Sequence, residues 1–426
     1  MLQLSYSASL QRRHTYTLHN YLVRRTAAMR RAGRLGLAFP AAFLCNLSIG
    51  LISFAAVFYL KHRFSATPAT VGLFAGAWNG AYLAGCILLR PIFSRVRPRH
   101  AIAWTPVGIA ALVAGMLLSS SLALCFVLYA AAGFLTAFFW PPLMGWLSAG
   151  LESDELSRTT ARYNFSWSFS NVVSPLVAGV LVERSTVLPF YVSLCALLAV
   201  AGLAATSLLL APEPIPLREP PRTSVSGQAR SNGTSYRFPA WTGLFSAYLF
   251  MGVLLSVFPL YARYRLGIPE SLIGLVLVAR AFSMTIAFAI CGRTRFWHFR
   301  TLPMAAAQVV LAAVSFCMPL GQSPLFFIAL LPAAGFALAL AYSSALFHAV
   351  SGTPDRSWRA AVGEAILTGG MVIGASVGGF VYELFSMKVL FRGYAVLLVL
   401  VAGFQLWRGA RIRADREAAA TAAACP

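Results

Sequence analysis

Charged residues are scarce in this 426-residue chain, and acidic residues are the scarcest of them. Asp, Glu, Lys and Arg together make up 11% of the sequence, whereas an average soluble domain has roughly a quarter. Hydrophobic residues make up 59%, and the mean hydropathy is +0.73. Too few polar residues are present to cover a water-soluble surface, so this composition predicts an integral membrane protein.

Motifs for covalent, metal-dependent and nucleotide-driven chemistry are also missing. The seven cysteines lie mostly in apolar runs and form no CxxC pair, which argues against a disulfide framework and against a metal site. No Walker A loop, HExxH sequence or nucleophile elbow occurs. We therefore expect neither an enzyme nor an ATP-driven pump, and we expect no cofactor and no bound metal.

The apolar residues fall into twelve segments, each near the length of about 20 residues that a helix needs to cross about 30 Å of hydrocarbon. Two of the boundaries depend on turns at SSS (119–121) and GQSP (321–324). The sequence thus predicts an all-α integral membrane protein with 12 transmembrane helices. The predicted spans are 38–60, 70–89, 101–119, 122–147, 163–183, 187–211, 241–262, 270–291, 302–320, 324–349, 359–383 and 388–408.

The placement of basic residues tests this count of spans. If both termini are cytoplasmic and basic residues at the span ends are counted with the adjoining segments, 26 of the 34 basic residues lie in cytoplasmic segments and 7 in external loops, and Arg280 is left within a span. This asymmetry is the positive-inside pattern of membrane proteins, and it would be lost if one helix had been missed. We expect a multi-pass protein of the inner or plasma membrane with both termini in the cytoplasm, whose net charge of +22 reflects the lipid bilayer and not a nucleic-acid partner.

The two halves of the chain resemble each other. FPAAFL at 39 corresponds to FPAWTG at 238, TPATVGL at 67 to IPESLIGL at 268, and Glu183 to Glu383, at offsets between 199 and 202. A nearly constant offset indicates a parallel duplication. The predicted organisation is a basic N-terminal segment (1–37), a six-helix bundle (38–211), a cytoplasmic linker rich in proline and serine (212–239), a second bundle (240–408) and a cytoplasmic tail (409–426).

Small residues recur at the same spacing in the fifth and eleventh spans, as SNVVSPLVAG (170–179) and GMVIGASVGG (370–379). Small residues four apart lie on one helix face and let two backbones approach, while proline bends its helix. One copy is typical of ordinary helix packing; two copies in register predict a close-packed interface between the halves, kinked only in the first. The motif consists of Ser170, Ser174, Pro175, Gly179, Gly370, Gly374, Gly378 and Gly379.

Twelve spans, a 6+6 duplication and a long central loop resemble the major facilitator superfamily of secondary transporters over residues 38–408. The fifth helix of that family often carries G-x-x-x-G-P-x-x-G-G, whose spacing SNVVSPLVAG keeps. The resemblance implies the pseudo-symmetric fold of two six-helix bundles. In the family this pattern is associated with proton-driven antiporters that export drugs and metabolites.

A second signature of the family, G-x-x-x-D-R-x-G-R-R after the second helix, is degenerate here. RPIFSRVRPR (90–99) keeps Arg95 and the basic end that includes Arg99, but Arg90 and Ser94 replace the glycine and the aspartate. In the family the aspartate helps to latch the cytoplasmic side. Without it, these arginines are either part of such a latch or an ordinary positive-inside anchor.

Ionisable residues inside the membrane are costly, so those present are candidates for function. Arg280 lies 11 residues past Pro269, which at 1.5 Å per residue places it about 16 Å into the membrane, close to the midplane. It could bind a carboxylate or phosphate, or it could be a structural arginine neutralised by a neighbouring helix. Glu364, six residues past Trp358, would lie within its reach and is either a proton-coupling group or half of a static salt bridge.

Aromatic and amide side chains complete the candidate site. Each is a possible lining residue of a central cavity, although packing is the commoner role of a single tryptophan. The first and fourth spans contain no acid, which argues against the usual first-helix carboxylate mechanism of the family. The candidates for substrate contact or coupling are Arg280, Glu364, Asn79, Trp78, Trp140, Asn164 and Tyr342, with Asn46 and His348 as weaker ones.

From these observations we expect a monomeric secondary transporter that moves a small organic solute by alternating access, with export in exchange for protons as the favoured direction. Two alternatives stay open: a receptor or scaffold with a transporter fold, and a facilitator or importer of an organic anion. The substrate is either an organic anion, as Arg280 suggests, or an amphipathic compound, as the tryptophans suggest. The basic N-terminus lacks a signal-peptide core, and either Met1 or Met29 is the start.

Overall fold

The structure is a computed structural model that describes residues 36–93, 96–148, 153–210, 227–350 and 356–424. This part of the chain is helical and contains no strand. Twelve of its helices are long and apolar enough to cross a membrane, which confirms the predicted number. Labelled α1 to α12 in order, the spans are Gly36–Phe64, Pro68–Leu88, Pro98–Leu118, Leu122–Met144, Arg162–Arg184, Leu188–Thr206, Ser235–Tyr264, Glu270–Arg293, Thr301–Leu320, Pro324–Ala349, Ala361–Leu384 and Met387–Asp415.

Local sequence explains where several helices begin. Thr67 precedes α2, and its Oγ1 accepts a hydrogen bond from the Thr70 amide at 3.3 Å. Ser121 precedes α4 and caps it in the same way, by accepting from the Leu124 amide at 3.4 Å. Such caps satisfy amides that have no partner inside the helix. Both predicted turns are therefore confirmed, since α4 starts after SSS and α10 starts at Pro324 of GQSP.

Several helices extend beyond the membrane spans. The helix that contains α7 begins at Gly227, so residues 227–239 of the predicted linker are helical. The helix that contains α12 continues to Ala424, because the predicted tail is rich in alanine and arginine, which favour helix. Residues 211–226 of the linker and 1–35 of the N-terminal segment lie outside the described residues.

Helix packing follows the internal repeat. In the first half α2 packs on α4 and α3 on α6, and in the second half α8 packs on α10 and α9 on α12. Each of these contacts in the first half therefore recurs in the second half between the helices numbered six higher. The halves meet mainly where α5 packs on α8 and α2 packs on α11. This is the predicted 6+6 arrangement of two six-helix bundles.

The contact between α5 and α8 depends on glycine. A Cβ built on Gly274 would lie 3.0 Å from the carbonyl carbon of Pro175 and 3.4 Å from the Cα of Gly179. A Cβ built on Gly179 would lie 2.9 Å from the Cα of Ser271. Because only hydrogen separates the two backbones here, the helices touch main chain to main chain.

The contact between α2 and α11 repeats this arrangement. A Cβ on Gly72 would lie 3.1 Å from the carbonyl carbon of Ala375 and 3.2 Å from the Cα of Gly379. A Cβ on Gly379 would lie 3.1 Å from the Cα of Ala69. Gly72 and Gly274 are 202 positions apart, and Gly179 and Gly379 are 200 apart, so the two contacts are related by the internal repeat.

Other positions of the small-residue motif face helices of their own half. In α11, Cβ atoms on Gly370 and Gly374 would meet the backbone of α7, and one on Gly378 would meet Val253 of α7. In α5, Ser170 and Ser174 face α1. One face of each motif thus packs within a half while the opposite face packs between the halves.

The two ends of the bundle differ in charge. We call the end formed by connections 65–67, 119–121, 185–187, 265–269, 321–323 and 385–386 the arginine-poor face, and the opposite end the arginine-rich face. Both glycine contacts between the halves lie toward the arginine-poor face, since α5 and α11 end there and α2 and α8 begin there.

We predict that Gly274→Ala destabilises the protein while Gly403→Ala does not. The added methyl at 274 must push α8 away from Pro175, and overpacking of this kind costs about 1–3 kcal/mol. Gly403 lies in α12 with no atom within 4 Å of its Cβ position, so alanine there should be neutral or stabilise the helix by about 0.5–1 kcal/mol. Thermal unfolding of both purified variants tests this; equal melting temperatures would show that the helices do not need close contact.

Candidate functional site

Arg280 lies in the middle of α8 and is buried, with 3% of its surface exposed. Its Nη1 donates only to the Met284 sulfur, at 3.6 Å, and its Nε has no hydrogen-bond partner. No carboxylate of the described residues lies within 4.0 Å of the guanidinium. A buried charge without a counter-charge is costly, so this position favours an anion that the protein itself does not provide.

Glu364 is the fourth residue of α11, in a helix that begins at Arg356, and its side chain is exposed. Its Oε1 accepts a hydrogen bond from the Tyr342 hydroxyl of α10 at 3.2 Å. No Lys, Arg or His nitrogen of the described residues lies within 4.0 Å of its carboxylate. The carboxylate is therefore held by a neutral donor.

Tyrosines from both halves surround Glu364. Tyr82 of α2, Tyr163 of α5 and Tyr248 of α7 lie within electrostatic range of its carboxylate. The Tyr248 and Tyr342 rings are 6.3 Å apart. We call the accessible space beside Glu364, between these tyrosines of both halves, the cavity.

The ion pair between Arg280 and Glu364 that the sequence allowed is not formed. Their charged atoms are more than 4.0 Å apart, and Tyr248 lies within electrostatic range of both. The similar depth of the two side chains in the membrane had predicted contact between them. However, α8 packs on α5 and α10, whereas α11 packs on α2 and α7. The two helices thus belong to different contact pairs, and the charges face the site from separate walls.

Two predicted lining residues on α2 have local partners instead. Trp78 is buried and its ring lies 4.8 Å from that of Tyr129 on α4. A Cβ on Gly133 would also touch the Trp78 backbone, so this tryptophan belongs to the packing of α2 against α4. Asn79 donates to the Ala75 carbonyl of its own helix at 3.0 Å.

The candidates on α4 and α5, Trp140 and Asn164, lie near Tyr163. The helix of α4 is interrupted by a turn at 137–139 and resumes at Trp140, where Pro141 and Pro142 lack the amide protons that a continuous helix needs. The Trp140 and Tyr163 rings are 6.4 Å apart. Asn164 is exposed, and its Oδ1 accepts from the Trp167 indole of the next turn at 3.1 Å.

Asn46 joins two helices of the first half. Its Nδ2 donates to Asn171 Oδ1 at 2.9 Å, to the Trp167 carbonyl at 3.0 Å and to Ser170 Oγ at 2.5 Å. All three acceptors lie on α5. Of the two roles that the sequence allowed, these contacts belong to the interhelical hydrogen bond.

The arginine-rich connections hold the remaining candidates. Arg99 is buried, with 4% of its surface exposed, whereas Arg95 and the side chain of Arg90 lie outside the described residues. His348 at the end of α10 is also buried: its Nε2 accepts from the Phe299 amide at 3.2 Å.

His298, between α8 and α9, stacks on the Phe347 ring at 4.0 Å. Burial lowers the pKa of His298, and nearby Arg295 lowers it further, so the stacked imidazole is neutral at neutral pH. His298 therefore packs against Phe347 as a neutral ring.

Sequence reasoning missed Tyr82, Tyr163 and Tyr248. Two signals were available: Tyr163 adjoins the candidate Asn164, and Tyr248 lies 202 positions after Asn46, the offset of the internal repeat. Tyr82 follows Asn79 by less than one helical turn. None of them stands out by composition, because the chain has 15 tyrosines.

The site offers a planar cation, a carboxylate, and aromatic rings with hydroxyl groups. No group of three His, Cys, Asp or Glu side chains suited to a metal ion occurs among the residues that the structure describes. These features are typical of recognition of a small amphipathic or anionic solute.

Comparison with known proteins agrees with the architecture. Residues 38–240 match the model of the Major Facilitator Superfamily. No curated protein matches the chain by sequence.

Among solved structures, a bacterial homologue of the human lysosomal transporter Spinster, inward-facing and unoccupied, superimposes with a TM-score of 0.69 at 13% identity, over 89% of this chain and 97% of that one. Its occupied form gives a TM-score of 0.66 at 14% identity, over 88% and 95%. A mutant of the nucleoside transporter NupG gives 0.64 at 12% identity, over 88% and 99%. At these identities the likeness establishes the fold alone.

The environment of Arg280 predicts that Arg280→Met raises the thermal stability of the protein without ligand. Methionine fills a similar volume and removes an unpaired buried charge, a gain of about 1–3 kcal/mol. As the control, Arg263→Met breaks the 2.9 Å ion pair with Glu270 and should lower stability slightly, by less than about 1 kcal/mol because Arg263 is 40% exposed. Unfolding scans of both variants test this; destabilisation by Arg280→Met would make Arg280 a structural residue.

Proposed function

We propose that this chain is a transporter of the major facilitator superfamily, whose model matches residues 38–240 and whose fold it has, and that it exports a small organic solute bearing an anionic group in exchange for protons. The buried, unpaired guanidinium of Arg280 is the observation that carries the proposal.

Arg280 supports an anionic solute through its geometry. A guanidinium presents two parallel donors that match the two oxygens of a carboxylate or phosphate. Its Nη1 has only the weak Met284 sulfur as acceptor, and an arriving anion would replace that contact with a charge-assisted hydrogen bond. The nearby Tyr248 and Tyr342 rings would cover an apolar or aromatic part of the same solute.

Glu364 supports proton coupling. It is accessible from the cavity and is held by Tyr342 alone, so a proton can reach it without breaking an ion pair with any described residue. Exchange requires that Glu364 holds its proton while the site is empty and has released it when the solute-loaded carrier moves.

The packing of the halves supports alternating access. The backbones of α5 and α8, and of α2 and α11, touch toward the arginine-poor face, while Glu364 lies near the start of α11 toward the other face. The described conformation is thus closed at one end. We infer that the arginine-rich face is cytoplasmic, as the positive-inside pattern predicts, and that rocking about the glycine contacts opens the other face.

The first prediction from this proposal concerns ligand stabilisation. Organic carboxylates and organic phosphates should stabilise the purified protein, and lipophilic cations should not. At a ligand concentration of about 100 Kd the gain is about 2.7 kcal/mol. Arg280→Met should abolish it and Arg280→Lys should keep part of it, because lysine retains the charge without the planar fork.

Arg263→Met is the matched control for this assay, since it removes an arginine whose charge is already paired with Glu270. It should keep the full response to anions. If the lipophilic cations stabilise the native protein and Arg280→Met equally, the solute is not an anion and Arg280 does not bind it.

The second prediction concerns the driving force. In proteoliposomes loaded with the most stabilising anion, acidifying the side opposite the solute should accelerate flux through the native protein. Glu364→Gln imitates the protonated side chain and cannot release a proton, so flux should lose its dependence on the pH gradient while solute-for-solute exchange continues.

Each failure of this flux experiment has a distinct meaning. Flux of Glu364→Gln that still follows the pH gradient removes proton coupling through this residue. Acceleration by acid on the same side as the solute makes the protein a proton-coupled importer of an organic anion. Ligand stabilisation without any flux makes it a receptor with a transporter fold.

A further inference from the structure

A carboxylate from the first half binds a helix end of the second half. Glu183, at the end of α5, accepts hydrogen bonds through Oε1 from the Ser271 amide at 3.0 Å and from the Ser271 hydroxyl at 2.5 Å. Ser271 is the second residue of α8, and amides in the first turn of a helix have no acceptor inside that helix. The contact therefore satisfies an amide of one bundle with a side chain of the other.

The second half makes the equivalent contact, from its own carboxylate to a helix of the first half. Glu383, at the end of α11, accepts through Oε2 from the Ala69 amide at 2.9 Å. Ala69 is the second residue of α2. Glu383 follows Glu183 by 200 positions and Ser271 follows Ala69 by 202, so the two contacts are counterparts in the internal repeat.

The two helix starts differ in their local caps. The start of α2 has its own cap, because Thr67 accepts from the Thr70 amide. The start of α8 has no side-chain cap of its own, since Pro269 precedes it and the Glu270 carboxylate pairs with Arg263 at 2.9 Å. The interbundle glutamate is therefore additional to a local cap at α2, whereas at α8 it takes the place of one.

Both contacts also adjoin the points of closest approach. A Cβ on Gly179, four residues before Glu183, would meet the Glu270 carbonyl and Ser271. A Cβ on Gly379, four residues before Glu383, would meet the Pro68 carbonyl and Ala69. At the end of α5 and of α11, a glycine and a glutamate one helical turn apart thus both contact the start of the same helix in the other half.

We propose that Glu183 and Glu383 form a pair of latches that hold the arginine-poor face closed and must both release when the bundles rock open. The inference rests on the proposed alternating access. Each latch is a charge-assisted hydrogen bond to a helix N-terminus, where the partial positive charge of the helix dipole also favours the carboxylate. Because both cross the same opening in opposite directions, rigid bundles cannot release one and keep the other in place.

Hydrogen–deuterium exchange of the full-length protein in lipid nanodiscs, without solute, tests the latches. The readouts are peptides that cover residues 67–72 and 269–275, which contain the two bonded amides. In Glu183→Ala, exchange should rise roughly three- to tenfold in both peptides, although only the second lost its carboxylate. In Glu383→Ala, exchange should also rise in both peptides, although only the first lost its carboxylate. The double variant should exchange faster than either single variant.

Glu270→Ala is the matched control. It removes a carboxylate at the same helix end whose partner, Arg263, lies in its own half. Its effect should stay in the peptide 269–275. If Glu183→Ala also changes only that peptide, or if Glu270→Ala changes 67–72 as strongly, the glutamates are local caps and the latch is refuted.

A conservative variant guards against misfolding. Glu183→Gln keeps the size and an acceptor oxygen but loses the charge, so it should produce the same pattern in both peptides at a smaller amplitude than Glu183→Ala. Since no solute is used, coupled exchange in a protein without flux would support the latches and refute transport. Flux in a protein whose two peptides respond independently would support transport and refute the latches.

Discussion

The direct contact of main chain with main chain between α5 and α8, and between α2 and α11, is the constraint on which the rest of the structure depends. In a bilayer the apolar effect gives helices little reason to prefer each other over lipid, so close packing and hydrogen bonds must hold the halves together. Gly72, Gly179, Gly274 and Gly379 permit that approach by having no side chain. Arg280 and Glu364 lie on α8 and α11, one helix from each of these two contacts.

The site contains two opposite charges that form no ion pair with each other. Arg280 is buried on α8 and Glu364 is accessible on α11, with tyrosine hydroxyls and rings in the space around them. A static salt bridge would have neutralised both groups and left nothing for a solute to complete. Separation keeps each charge available, at a cost in stability that the packing of the bundles must offset.

The sequence predicted the number of helices, the turns between them and the repeat, because span length and arginine placement report directly on the membrane. It also predicted the small-residue spacing, of which Gly179 and Gly379 face the opposite bundle, whereas Gly370, Gly374 and Gly378 pack within their own half. It could not predict that Trp78 would pack on Tyr129 or that Tyr82, Tyr163 and Tyr248 would surround Glu364. These spans are apolar on all sides, so their hydrophobic pattern does not say which face turns inward, and only contacts between helices decide it.

A lone guanidinium near the middle of a membrane also has an electrical consequence. In the proposed cycle the empty carrier, with Glu364 neutral, moves one positive charge, whereas the carrier loaded with a monovalent anion and a charged Glu364 moves one negative charge in the opposite direction. A membrane potential that is negative inside would favour both steps, each by about 2.3 kcal/mol per 100 mV for a charge that crosses the whole field. The charge of Arg280 cancels over the whole cycle, but it divides the electrical energy of proton and anion movement evenly between the two steps.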